Sequence, residues 1–165
     1  MNSDLIFYKS TSTTIALTLE DGYSFELFKP SLFHKKKHHA SSLIYWFWFV
    51  LTRGSYFIFY IKDSSNSIVH YSHVLTRFYK FSFLSSKDYQ IGPCWTAKKH
   101  RGKGLYPFAI NKIMQELQHP QSSFWMFTSK SNIASQKGIE KSSFNKIGFG
   151  YKSKISGSYI LAETN

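Results

Sequence analysis

The sequence predicts an α/β domain of mixed α+β type, a mixed sheet covered by helices. Three observations lead there. The first half carries strand patterns in succession around one helical stretch. The second half alternates strand, helix, strand, helix and strand. That order places antiparallel and parallel pairings in one sheet. The chain has 165 residues, 42% of them apolar, enough for the core of one domain spanning 1–165.

In chain order, Ile15, Leu17 and Leu19 alternate with polar residues, and Tyr23, Phe25 and Leu27 do the same. Asp21-Gly22 lies between the two runs and supports the positive φ angles of a tight turn, so a hairpin is expected. Lys29-Pro30 breaks the pattern, and the run Lys35-Lys36-Lys37-His38-His39 reads as a solvated linker. His39 to Thr52 follows as a helix with Ser41 or Ser42 as cap. It is apolar nearly all round, which predicts deep burial. Arg53-Gly54-Ser55 ends it, and strands follow over Tyr56–Lys62 and Ser67–Arg77. Lys80 to Leu84 alternates weakly, and Tyr89–Thr96 is a further strand interrupted by Pro93.

Beyond this point the pattern changes. Ala97 to Gly104 is a basic, glycine-containing loop, and Leu105 to Gln118 has helical periodicity with Pro107 in its first turn. His119-Pro120 closes that helix. Phe124–Ser129 is a strand, Asn132–Ser143 a helix capped by Asn132, and Lys146–Ser156 with Tyr159–Ala162 a last pair of strands. No internal repeat is present.

The formal net charge is +12, and the chain holds 16 Phe, 11 Tyr and 4 Trp. A basic balance favours an anionic partner: nucleic acid, a membrane surface or a phosphorylated small molecule. Solubility alone is the blander explanation. One cysteine, Cys94, excludes an intrachain disulfide and a cysteine-based zinc site, and no metal is expected. Met1 to Tyr8 lacks the layout of a signal peptide, and Leu43 to Leu51 is too short to span a bilayer. A cytoplasmic protein without a membrane span is the expectation.

The segment from Ile91 to Tyr106 carries the chemistry. A strand ends, and a short basic loop with two glycines opens a helix. Backbone N–H groups at a helix start and the helix dipole suit an anionic phosphate, and Gly102 and Gly104 allow close approach of the chain to it. Arg101 and Lys103 add positive charge. A P-loop fails, because Ala97 stands where glycine is needed and Gly104 follows Lys103. A dinucleotide fingerprint fails because Pro107 follows Gly102-Lys103-Gly104 at the third glycine position.

The remaining pattern resembles the pyrophosphate loop of the GCN5-related N-acetyltransferase (GNAT) family, Gln/Arg-x-x-Gly-x-Gly/Ala, with Arg101, Gly104 and Tyr106 at its defining positions. Tyr106 departs from the family there. Asn132-Ile-Ala-Ser135 and Glu140-Lys141-Ser-Ser-Phe144 resemble a second family feature at the family's separation. The resemblance covers roughly 89–150. The segment also looks like a branch associated with bacterial surface-polysaccharide biosynthesis.

The resemblance implies a mostly antiparallel sheet splayed between two parallel strands and flanked by helices. It implies acetyl-CoA, or another acyl-CoA, as donor, and transfer to an amine in a ternary complex. Residues 89–150 would bind the donor and residues 1–88 the acceptor, for which a nucleotide-linked amino sugar suits the basic residues. Cys94, Trp95 and Thr96 would offer backbone to the pantetheine. Arg101, Gly102, Lys103, Gly104, Leu105 and Tyr106 would hold the pyrophosphate, with Asn132 and Ser135 beside the cofactor.

Two common catalytic side chains of the family are missing, since Gly92 and Ile139 occupy their places. His73 is the candidate base and Tyr89 a candidate acid or base, with Tyr151 and Tyr159 as further acids. His70 has the opposite strand parity to His73 and should face the other way. Cys94 is either a nucleophile or a small buried hydrophobe. A non-catalytic CoA binder and a basic nucleic-acid binder remain as rivals, although no recognised RNA-binding motif is present. Exposed aromatics could pair two subunits as a homodimer.

Overall fold

The computed structural model describes residues 5–12, 17–31 and 42–162. Eight strands form one sheet: β1 (Leu5–Ser10), β2 (Ser24–Phe28), β3 (Tyr56–Lys62), β4 (Ile68–Thr76), β5 (Tyr89–Thr96), β6 (Phe124–Ser129), β7 (Asn145–Lys152) and β8 (Tyr159–Leu161). Their spatial order is β2-β3-β4-β5-β6-β1-β7-β8. Among these neighbours β5 and β6 run parallel and the other pairs antiparallel. Three α-helices accompany the sheet: α1 (Ser42–Leu51), α2 (Leu105–Leu117) and α3 (Ile133–Glu140).

Two apolar clusters lie on the two faces of the sheet. One gathers Phe59, Ile61, Val74 and Ile91 under Phe108, Ile110, Ile113 and Met114 of α2 and Ile139 of α3. The other gathers Tyr56, Ile58, Tyr60 and Leu75 with Phe78, Phe81 and Leu84, and Trp48 and Leu51 of α1 pack against it. Aromatic residues supply much of both clusters, consistent with their large burial per side chain.

Four expectations from the sequence change. First, β1 went unassigned. It inserts between β6 and β7, pairing with both, so Phe7 and Tyr8 are buried and the run shows no alternation to read. Second, the hairpin around Asp21-Gly22 does not form as expected. Ile15 lies outside the described residues, 17–20 are irregular, and β2 pairs with β3 instead. Tyr23 explains the path: its hydroxyl meets His100 Nδ1 at 2.8 Å, which folds this segment over the loop before α2. Third, α1 is not deeply buried, and Trp46, Phe47 and Val50 face solvent. Fourth, Lys80–Leu84 forms no strand, because a 3-10 turn covers Tyr79–Phe81 and buries Phe81. The basic run 35–39 lies outside the described residues.

The site depends on how β5 leaves β6. The two strands share only Tyr89↔Phe124 and Gln90↔Trp125, and beyond these pairs they diverge. Asp88 pins the apex. Its carboxylate accepts from the Ser123 and Ser85 N–H groups, each at 3.0 Å, and from Trp125 Nε1 at 3.1 Å. On the other side of β5, the pairing with β4 shifts register between Ser72 and Val74, beside Pro93, which has no N–H to offer a ladder.

Candidate active site

The divergence of β5 from β6 opens a cleft of about 700 Å³. One wall is β5 from Ile91 to Thr96, and the other is Met126, Phe127 and Thr128 of β6. The loop before α2 and the first turns of α2 and α3 close its end. Ten of the eleven donor-binding residues expected from the sequence line this cleft, the exception being Lys103.

The glycine loop has the geometry that anion binding needs. Gly102 and Gly104 have φ of 81° and 74°, in the region that disfavours side chains, and a Cβ at either would meet nothing within 4 Å. Gly104 stands at the amino terminus of α2, where the first-turn N–H groups lack partners within the helix. Arg101 Nε donates to the Thr96 carbonyl at 3.1 Å, which holds this side chain at the cleft rim. Lys103 turns away. Its ammonium lies 5.6 Å from the Tyr23 ring centroid, and the hydrogen bond to Tyr23 holds its pKa above the usual lysine value. Asn132 Oδ1 accepts from the Ser135 N–H at 3.1 Å, so it caps α3 while lining the cleft.

Tyr106 is accommodated by a residue that sequence reasoning passed over. A Cβ on Gly138 of α3 would lie 2.5 Å from Tyr106 Cδ1. The ring therefore lies across Gly138 rather than over the glycine loop. The legible signal was a glycine within a short helix, where it costs stability unless something packs on it. Burial raises the Tyr106 phenol well above its ordinary pKa, so it stays protonated and keeps its O–H to donate.

Beneath the β5 wall lies a polar chain. His70 is fully buried, with Nδ1 2.8 Å from Thr96 Oγ1 and Nε2 2.9 Å from Ser72 Oγ. Burial lowers its pKa to about 3, so the ring is neutral. Ser72 also bonds the Cys94 thiol. Burial pushes that thiol up to about 12, with the Ser72 bond opposing the rise, so Cys94 is not a thiolate at neutral pH. Burial thus works against Cys94 as a nucleophile.

His73 points to the opposite face from His70. It is buried outside the cleft lining, stacks on Tyr56 at 5.7 Å, and its Nδ1 lies 2.6 Å from the Tyr56 hydroxyl. Burial lowers its pKa to about 4. Tyr89 sits at the apex, stacked on Phe124 at 5.6 Å, and it too is absent from the cleft lining. Tyr159 packs 4.3 Å from Phe127 in the far cluster, and Tyr151 lies on β7, away from the cleft lining.

Gly92 holds a second surprise. A Cβ there would meet Gln90 Nε2 at 2.9 Å, so the Gln90 carboxamide fills the space a side chain at 92 would need. Gln90 is buried, and its Oε1 has no hydrogen-bond partner among the described residues. A glutamine between Tyr89 and Ile91 at the start of a strand was the available signal.

A parallel pair splayed from a pinned apex, with a glycine loop and helix start across its open end, is the fold of the GNAT acetyltransferases. Solved structures agree. An acetyltransferase of the GNAT family from Colwellia psychrerythraea matches 88% of this chain and 53% of its own, at 13% identity and a TM-score of 0.56. A GCN5-related N-acetyltransferase from Sphaerobacter thermophilus matches 87% of this chain and 48% of its own, at 11% identity and a TM-score of 0.58. A putative acetyltransferase from Acinetobacter baylyi matches 83% of this chain and 89% of its own, at 12% identity and a TM-score of 0.58. The chain thus spans about half the length of the first two. No protein-family profile matches the sequence, and no curated protein sequence is similar to it. Among the described residues no helix is long and apolar enough to cross a membrane, and no cluster of three metal-ligating side chains occurs.

Proposed function

We propose that this chain transfers an acyl group, most simply acetyl, from coenzyme A to a primary amine of a small molecule. One observation carries the reading: a cleft between two diverging parallel strands that ends on an open, positive-φ glycine loop at a helix start. The fit is specific. The cleft is long and half apolar, as a pantetheine arm needs, and its far end offers backbone N–H groups and Arg101 to a pyrophosphate.

An acyl-CoA supplies an activated thioester carbonyl, and its C–S bond breaks as the C–N bond to the amine forms. The protein's part is to position, polarise and move protons. The unpaired edge of β5 facing the cleft offers N–H groups to the arm and to the carbonyl oxygen. Thr96, bonded to His70, and Cys94, bonded to Ser72, are held by buried partners, which fixes the wall. Tyr106 donates towards the leaving sulfur. His73 lies outside the cleft and is bonded to Tyr56, so the amine's proton passes to water rather than directly to this ring. The un-ionised thiol of Cys94 favours direct transfer in a ternary complex over an acyl-cysteine route. An anionic acceptor such as a nucleotide-linked amino sugar suits the basic chain.

Calorimetric titration with acetyl-CoA tests the reading, with CoA and ATP as controls. Saturable binding of both CoA forms, with weaker ATP binding, supports it. No heat with either CoA form sinks it. Acceptor screening then starts with amino sugars.

A further inference from the structure

The helix α1 has the composition of a core helix and the exposure of a surface one. It carries no charged residue, yet Trp46, Phe47 and Val50 are 39%, 48% and 66% exposed. Its inner side is satisfied, since Trp48 packs on Phe78 with ring centroids 5.6 Å apart. Tyr79, 55% exposed, extends the outer patch, and Lys80 Nζ lies 5.6 Å from the Phe47 ring centroid and 5.7 Å from that of Tyr79. A contiguous face of Trp, Phe, Val and Tyr with lysine threaded through it is unusual for a surface exposed to water alone.

The surrounding charge says what would cover it. The charged residues beside this face are Arg53, Arg77 and Lys80, all basic, and the one acidic residue between Glu26 and Asp88 in the sequence is Asp63. Asp63 is taken up by its own turn, accepting from the Ser65 and Ser67 N–H groups. Arg53 lies two residues beyond the end of α1 and Arg77 precedes Phe78, and both are exposed. A second copy of this face would bring like charge against like charge. An anionic bilayer surface brings opposite charge to the rim and an apolar, interfacial layer to the aromatic rings.

We propose that the outer face of α1, with Tyr79 and Lys80, docks this protein on anionic lipid headgroups, the aromatic rings entering the interface and the basic rim meeting the phosphates. The helix lies on the membrane and does not cross it. This docking is independent of the acyl-transfer reading, and either could fail alone.

Sedimentation of the full chain with vesicles tests it. One set is phosphatidylcholine, and the other is equal parts phosphatidylcholine and phosphatidylglycerol. Binding to the mixed vesicles, weakened by added salt and slight on phosphatidylcholine, is the expected result. Lys80→Glu and the pair Phe47→Ser, Val50→Ser should each weaken binding about tenfold. Circular dichroism should show both variants folded, and if the pair fails to fold, Lys80→Glu still decides. Tryptophan quenching by brominated acyl chains should fall in Trp46→Phe. Absence of sedimentation with the mixed vesicles overturns the proposal, as does equal binding by all variants. Concentration-dependent dimerisation lost in the Phe47→Ser, Val50→Ser pair, without vesicle binding, assigns the face to a second copy instead.

Discussion

Residues 89–150 and the described part of residues 5–88 share one sheet, with β1 set between β6 and β7, but they present different chemistry. Around the cleft the working parts are main chain: the free edge of β5, the positive φ angles of Gly102 and Gly104, and the start of α2. In the amino-terminal half the distinctive parts are side chains, buried aromatics under β3 and β4 and exposed ones on α1. Main-chain function demands glycines, a proline and caps at fixed spacing, and leaves marks in the sequence. Side-chain surfaces can be built in many ways and leave few.

The sharpest way to break this contrast is at the apex. Asp88→Ala leaves the Ser123 N–H and Trp125 Nε1 without their buried acceptor, which should cost about 3 kcal/mol of stability. Asp88→Asn keeps one acceptor oxygen and should cost less. Urea unfolding measures both, and an Asp88→Ala midpoint equal to that of the natural protein would show that the carboxylate does not hold the strands together. In the folded fraction CoA affinity should fall as well, because the divergence starts from this point.

Gly104→Trp addresses the loop itself. The φ of 74° strains any side chain by about 1–2 kcal/mol, but a Cβ meets nothing within 4 Å, so the fold should survive. The indole would occupy the anion site, and CoA affinity should fall by about a hundredfold, near 2.7 kcal/mol. Retained affinity with an intact fold would move the pyrophosphate elsewhere.

These two positions also show what could be read beforehand. The glycine loop, the Asn132 cap and the limits of β5, β6 and α2 were visible because each follows a local rule: φ sign, side-chain capping, apolar period. Tertiary context hid the rest. The run Leu5–Tyr8 reads as nothing in particular until pairing with β6 and β7 sets Ile6 and Tyr8 in one apolar cluster and Phe7 against Phe83 and Phe127. Leu17 and Leu19 alternate like a strand, but the Tyr23–His100 contact carries their segment over the α2 loop. An all-apolar α1 reads as core, and only the packing shows one side left open. Asp88 and Gly138 act through Ser123, Trp125 and Tyr106, partners distant in sequence that no local pattern names.

The Tyr106–Gly138 contact sharpens the comparison at smaller amplitude. Gly138→Ala forces the alanine methyl to within 2.5 Å of the Tyr106 ring, so overpacking should outweigh the better helix propensity and destabilise by about 1–2 kcal/mol. Adding Tyr106→Ala should remove the clash, so the loss in the double variant should be smaller than the sum of the two single losses. Additive losses in that cycle would mean that the two side chains do not meet.

The smallest effect per step comes from β4, the strand whose two histidines face opposite sides of the sheet. His70 and His73 have folded pKa values of about 3 and about 4, against 6.5 for a free imidazole, because burial penalises the cation. Below 6.5 the unfolded chain binds protons that the folded one refuses, so stability is full above that pH and is lost as pH falls towards 4. Well inside this window each histidine should contribute a slope of about 1.4 kcal/mol per pH unit. Urea midpoints between these limits measure it. His70→Asn and His73→Phe should each remove one share of the slope. A slope unchanged in both variants would mean that carboxylates, not these rings, set the acid limb.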